Sequence, residues 1–224
     1  MIASTRLVRH TMKRVLVKAV LFIAALAVIG WVFWRSVQTT RSADYVIEPA
    51  HLIGWMLAIE PGSDPHAPLI VLRPPRDVAG TLFRQLFTRL AESFNGPAYP
   101  TVPVILREEF TRSFGDVGAE TLIDAARGAG LEAAPFVPQC MGHRRESAPG
   151  VTRQVYFVVF NAPAFGRFRE AIAARAAPNT GYAPAALSPI MIVAATEPDF
   201  HRWLPIRVNP DTDCVAPISV ESTG

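Results

Sequence analysis

The sequence predicts an α/β (or α+β) domain carried behind a single N-terminal transmembrane helix. Three observations point there. Residues 15–34 (VLVKAVLFIAALAVIGWVFW) are apolar apart from Lys18. From Tyr45 onward, short β-branched and aromatic runs alternate with stretches whose apolar residues recur at three and four, the pattern of a mixed sheet covered by about three helices. Every one of the 20 prolines follows Tyr45, so turns and edges belong to the second part of the chain.

The apolar run is long enough to cross a bilayer. At ~1.5 Å per residue it spans about 30 Å, the thickness of the hydrocarbon core. Lys18 lies one turn from its start, where the stem can carry the ammonium back to the headgroups. Trp31, Phe33 and Trp34 supply an interfacial aromatic end. Arg6, Arg9, Lys13, Arg14 and Lys18 precede or open the run, only Arg35 and Arg41 follow it, and no acid comes before Asp44. The positive-inside rule then keeps residues 1–14 in the cytoplasm and sends the rest across a bacterial-type inner membrane. A cleaved signal peptide is the competing reading. Against it, the run is long, ends in bulky aromatics, and would place Arg41 at −3 for cleavage after Ala43. Residues 35–44 (RSVQTTRSAD) read as a short polar linker, 45–210 as the exported globular domain, and 211–224 as a C-terminal tail.

Charge divides along the same line. From Asp44 on there are 15 Arg, no Lys and 19 acids, so the net +3 of the whole chain belongs to the anchor and its flanks. The folded part lacks the basic balance that nucleic acid requires. A composition half apolar, with 13 Phe, supports a packed core.

Within the domain, residues 45–60 read as one or two strands broken near Pro49. Residues 69–73 (LIVLR) form a buried strand stopped by Pro74-Pro75. Asp77 caps a helix whose apolar face is Leu82, Phe83, Leu86, Phe87, Leu90 and Phe94. Residues 102–106 make the next strand. Asp116 opens a second helix through Leu122, Ile123 and Ala126, ended by Gly128 and Gly130. A strand near 133–137 leads to a loop at 139–150. Residues 155–160 (VYFVVF) are the most strand-like run. Pro163 begins a third helix buried through Phe165, Phe168 and Ile172, and 190–195 (IMIVAA) is another apolar strand. The tail holds at most an edge strand.

The densest polar cluster, Gln139–Glu146, offers His143, Arg144 and Arg145. Two adjacent guanidinium groups supply forked donors for a carboxylate or phosphate; the plainer reading is a solvated hairpin tip. Cys140 and His143 as nucleophile and base would lack an orienting third group. Cys140 and Cys214 both fall on the exported side, where one disulfide forms readily, the competing reading being two separate buried thiols. His10, His51, His66, His143 and His201 are scattered, with no HExxH and no cysteine pair at metal spacing, so neither metal nor cofactor is expected. Gly128-Ala129-Gly130 closes a helix instead of opening one, and reads as a cap. Asp211-Thr212-Asp213 carries too few oxygens for calcium and reads as a turn. No Walker loop and no GxSxG occurs. Trp55 and Trp203 read as core. These features lead to a non-catalytic accessory, structural or assembly subunit of an inner-membrane complex, such as a respiratory or photosynthetic one, with integral membrane proteins and the lipid bilayer as partners. The alternative is a tethered periplasmic binding or sensor module that takes an anionic ligand on Arg144 and Arg145.

Overall fold

A computed structural model describes residues 3–62, 64, 68–75, 77–90, 92–97, 99–148, 150–198 and 207–221, with backbone only for 3–17, 38–42, 148 and 151. His66, His201 and Trp203 lie outside the described residues. The chain divides into two compact units, Met1–Ala43 and Asp44–Gly224.

The first unit is one helix, α1 (Ala3–Ser42). Within it Lys18–Val37 is long and apolar enough to cross a membrane, and none of that stretch is buried. The polar residues 35–42, read as linker, continue the helix. They contain neither Gly nor Pro, and extending an existing helix costs far less than starting one.

Among the described residues, the second unit holds a curled mixed sheet, a smaller sheet and five α-helices. Its strands are β1 (Tyr45–Ile47), β2 (Met56–Ile59), β3 (Pro68–Arg73), β4 (Val102–Leu106), β5 (Val137–Ala148), β6 (Val151–Asn161), β7 (Ile190–Ala195) and β8 (Cys214–Val220). Its helices are α2 (Asp77–Leu90), α3 (Arg107–Ser113), α4 (Ala119–Gly128), α5 (Pro163–Ala173) and the single turn α6 (Pro210–Asp213). The larger sheet runs β1-β8-β5-β6-β7, and the smaller runs β2-β3-β4. Among the described residues only β1 and β8 pair in parallel; the other ladders are antiparallel.

One apolar core joins both sheets to the three longer helices. Met141, Val158, Phe160, Met191 and Ile218 of the large sheet meet Leu82 and Leu86 of α2, Leu122 and Ala126 of α4, and Phe165, Phe168 and Ile172 of α5. Ile70, Leu72, Val104 and Ile105 complete it from the small sheet. Trp55 is 4% exposed and stacks on Phe136 at 4.9 Å, with Phe160 edge-on at 5.5 Å. A second, smaller cluster covers the opposite face of the large sheet through Cys140, Val155, Phe157, Val159, Ile190 and Ile192.

Five expectations about the second unit are corrected. The loop expected at 139–150 is strand: β5 runs to Ala148 and turns near Gly150, whose φ of +82° suits glycine. The strand expected near 133–137 begins only at Val137. Asp116 caps nothing; α3 precedes it, and Gly118 occupies the N-cap of α4. The tail from 211 is not a tail. Residues 214–220 form β8, which lies between β1 and β5. On α2, Phe87 is 52% exposed although it belongs to the predicted apolar face.

The α4 terminus follows the glycine reading. Gly130 has a φ of +74°, its N–H bonds Arg127 O at 2.9 Å, and Leu131 N–H bonds Ala126 O at 3.2 Å. This is a Schellman closure, and the residue after the glycine, Leu131, is fully buried against the core.

Candidate functional site

The predicted cluster lies on the β5–β6 hairpin. Strand geometry sends successive side chains to opposite faces. His143 therefore faces the side of Tyr156, its cross-strand partner, while Arg144 faces the side of Val155. The His143 and Tyr156 rings stack at 4.4 Å, and His143 Nε2 is 3.1 Å from Gln154 Oε1. Burial pushes the imidazole pKa down from its ordinary value; the Gln154 bond opposes this shift and the nearby Arg145 charge adds to it. Arg144 Nη2 donates to Asp213 Oδ2 at 2.8 Å and to Arg207 O at 2.9 Å. Arg145 is exposed on the other face. The two guanidinium groups do not converge, so the expected anion fork is not assembled: adjacency in a strand separates what adjacency in a loop could have joined.

Beside Arg144, the sulfurs of Cys140 and Cys214 form a disulfide between β5 and β8, with Cα atoms 5.7 Å apart. Cys140 is 5% exposed. The same bond removes the thiol a Cys140–His143 dyad would need. Gly142 permits this packing, because a Cβ there would overlap the Phe157 ring. Asp213, half of the acidic pair at 211–213, is committed to Arg144 and to the N–H of Asn209 at 3.0 Å.

A second cluster was not expected from the sequence. Arg169 on α5 is wholly buried. Its Nε donates to Pro184 O at 2.8 Å, and Nη1 donates to Val104 O at 2.8 Å and Glu109 Oε2 at 3.1 Å. Nη2 donates to Glu109 Oε1 at 2.5 Å and Ala183 O at 3.4 Å. One side chain thus ties α5 to β4, to α3 and to the 183–184 segment. Tyr182 closes the seat: its ring centroid is 5.2 Å from the guanidinium carbon and its hydroxyl donates to Arg169 O at 3.1 Å. Burial drives the Tyr182 phenol pKa well up; Arg169 opposes that shift and Glu109 adds to it. A cavity of about 160 Å³ adjoins the cluster, lined by Leu106, Glu108, Glu109, Arg112, Tyr182 and Leu187 among others. Arg112 and Glu108 are ion-paired across one helical turn. Arg169 is paired with Glu109 and Arg112 with Glu108, so the arrangement locks segments together.

The signal for Arg169 was in the spacing. Phe165, Phe168 and Ile172 define the buried stripe of α5, and position 169 falls four after Phe165 and three before Ile172, within that stripe.

On α1, Lys18, Trp31, Phe33 and Trp34 are all exposed, and the Arg35 guanidinium carbon is 5.3 Å from the Trp31 ring centroid. Compared with protein-family models, curated proteins and solved structures, the chain matches none.

Proposed function

We propose that the chain is a non-catalytic accessory or assembly subunit of an inner-membrane protein complex, with residues 1–14 cytoplasmic and the folded unit on the periplasmic side. The observation that carries this is the membrane-length stretch Lys18–Val37, none of which is buried. Two features on either side of it agree about direction. Five basic residues lie before or at its start, which favours retention of that end. A disulfide lies after it, and disulfides persist in oxidising compartments. Ala19, Ala24, Ala25, Ala27 and Gly30 are small residues at which a neighbouring span can approach closely.

The domain supports the same reading through how its polar groups are used. Arg169 and Arg144 hold pieces of the fold together: Arg169 uses all three of its nitrogens, and Arg144 uses Nη2 on Asp213 and Arg207. A tethered module for an anionic ligand has less support, because strand alternation leaves it Arg145 alone.

Native purification in mild detergent, from cells expressing the chain at its natural level, tests the proposal. Larger integral membrane proteins should co-elute with it. A clean monomer under those conditions overturns the subunit reading. Protease added to intact spheroplasts should digest the domain and spare the N-terminus; the reverse pattern overturns the topology.

A further inference from the structure

We propose that the cavity between α3 and residues 180–187 binds a small neutral molecule, with an apolar body the size of a single ring and one hydroxyl group. The site belongs to the second unit alone and is independent of where α1 inserts.

The fold holds this cavity open. One wall is α3, where Glu109 and Ser113 lie four residues apart and share a face. The other is the segment through Tyr182, Ala186 and Leu187. Arg169 fixes both walls. It pairs with Glu109 on α3, and its Nε donates to Pro184 O at 2.8 Å on the facing segment. Ala177 N–H donates to Ser113 O at 2.8 Å, which ties the end of α3 to the chain just before that segment. The walls cannot close on each other without breaking the buried Arg169 seat, although protein interiors otherwise fill such space.

The lining selects the occupant. Ser113 is 2% exposed, and its hydroxyl has no hydrogen-bond partner among the described residues. Leaving a buried hydroxyl unpaired costs free energy, which one hydrogen bond from an occupant recovers. Leu106, Ala186, Leu187 and the Tyr182 ring supply apolar surface around it, which suits a hydrocarbon body. Charge works against ions. Glu109 pairs with Arg169 and Glu108 with Arg112, so neither sign is in excess. A charged occupant would give up its hydration and find no net counter-charge in return. Volume sets the size: the cavity holds about 160 Å³, and roughly 150 Å³ accommodates benzene.

Phenol, uncharged at neutral pH, is the probe. The full chain in lipid nanodiscs, with isotope-labelled leucine methyl groups, is titrated with phenol, toluene, benzoate and benzylammonium. Toluene lacks the hydroxyl, and the last two add a charge of either sign. Phenol should shift the Leu106 and Leu187 methyl resonances saturably, while Leu82 and Leu122 in the core report an intact fold. Toluene should bind several-fold more weakly, and the two ions more weakly still. Ser113→Ala should reduce phenol to the affinity of toluene, and Ala186→Phe, which fills the space, should abolish binding of both. Shifts that never saturate, as from phenol dissolved in lipid, overturn the site. So does the absence of shifts, which would leave the cavity to water. An ion that binds as tightly as phenol overturns the neutral class. Unchanged phenol affinity in Ser113→Ala overturns the role of the hydroxyl. Should Ala186→Phe disturb Leu82 and Leu122, the four probes on the unsubstituted chain decide the matter.

Discussion

With its guanidinium removed, the seat of Arg169 would hold the Glu109 carboxylate, 16% exposed, without a counter-charge. Breaking such a buried pair from one side costs about 3–5 kcal/mol. Arg169→Met should lower the unfolding free energy from denaturant titration by that amount, and a loss below about 1 kcal/mol would show that the clamp carries little. Gly142→Ala must displace the Phe157 ring, so a loss of about 1–3 kcal/mol is expected from the same measurement. His143 gives a pH signature. Burial holds its pKa below the ordinary 6.5, so the unfolded chain binds a proton more readily than the folded one. Stability is therefore present above about pH 6.5 and is lost as pH falls toward the lowered value. The melting temperature should drop between about pH 7 and about pH 5, and drop less in His143→Phe, which keeps a ring on Tyr156. Equal drops in the two proteins would assign the effect to other groups.

Sheet edges decide much at the scale of elements. The outer edge of β1 is closed by Gln85, whose amide accepts from Val46 N–H and donates to Val46 O, as a neighbouring strand would. Glu132 closes the edge of β2 by accepting Leu57 N–H at 2.8 Å. Both edges are thereby withheld from other chains. Gln85→Leu leaves two backbone groups of β1 unpaired and should cost about 1–3 kcal/mol; amide exchange at Val46 should quicken well before that at Val158, buried in the sheet centre. An unchanged rate at Val46 would mean the side chain is dispensable. Elements buried on both faces were legible: β3, β4 and β7 match the apolar runs 69–73, 102–106 and 190–195 nearly residue for residue, because a fully buried strand has no polar interruptions. The far half of β5 was not. Residues 143–147 are polar on both faces because the hairpin reaches beyond Gly142, the last residue paired with β8, so no alternation appears. Helix α3 has seven residues with Phe110 as its only large apolar side chain, too little for a period to emerge. The anion fork failed for the same reason as the β5 loop: the strand was missed, and with it the rule that separates neighbours.

The whole chain is an apolar helix followed by a domain whose first and last strands are partners. The disulfide joins residues 74 apart, and closing a loop of that length stabilises by about 4 kcal/mol in the chain-entropy account. Reduction, or Cys140→Ser with Cys214→Ser, should lower the unfolding free energy by nearly that much, and an unshifted midpoint would make the bond incidental. Peptide mapping with and without reductant should locate the link in material taken from membranes. Free thiols at both positions there would count against a periplasmic domain.

Strand order also governs how such a molecule can be made. Synthesis delivers β1 before β8, yet among the described residues β1 has no strand neighbour other than β8. Until β8 is made, β1 waits with an open seam. Only arrival of the final residues zips the seam and, through Cys214, rivets it. Shortening the polypeptide by a dozen positions should thus be far more damaging than trimming a loose end, since it deletes the keystone and not a fringe.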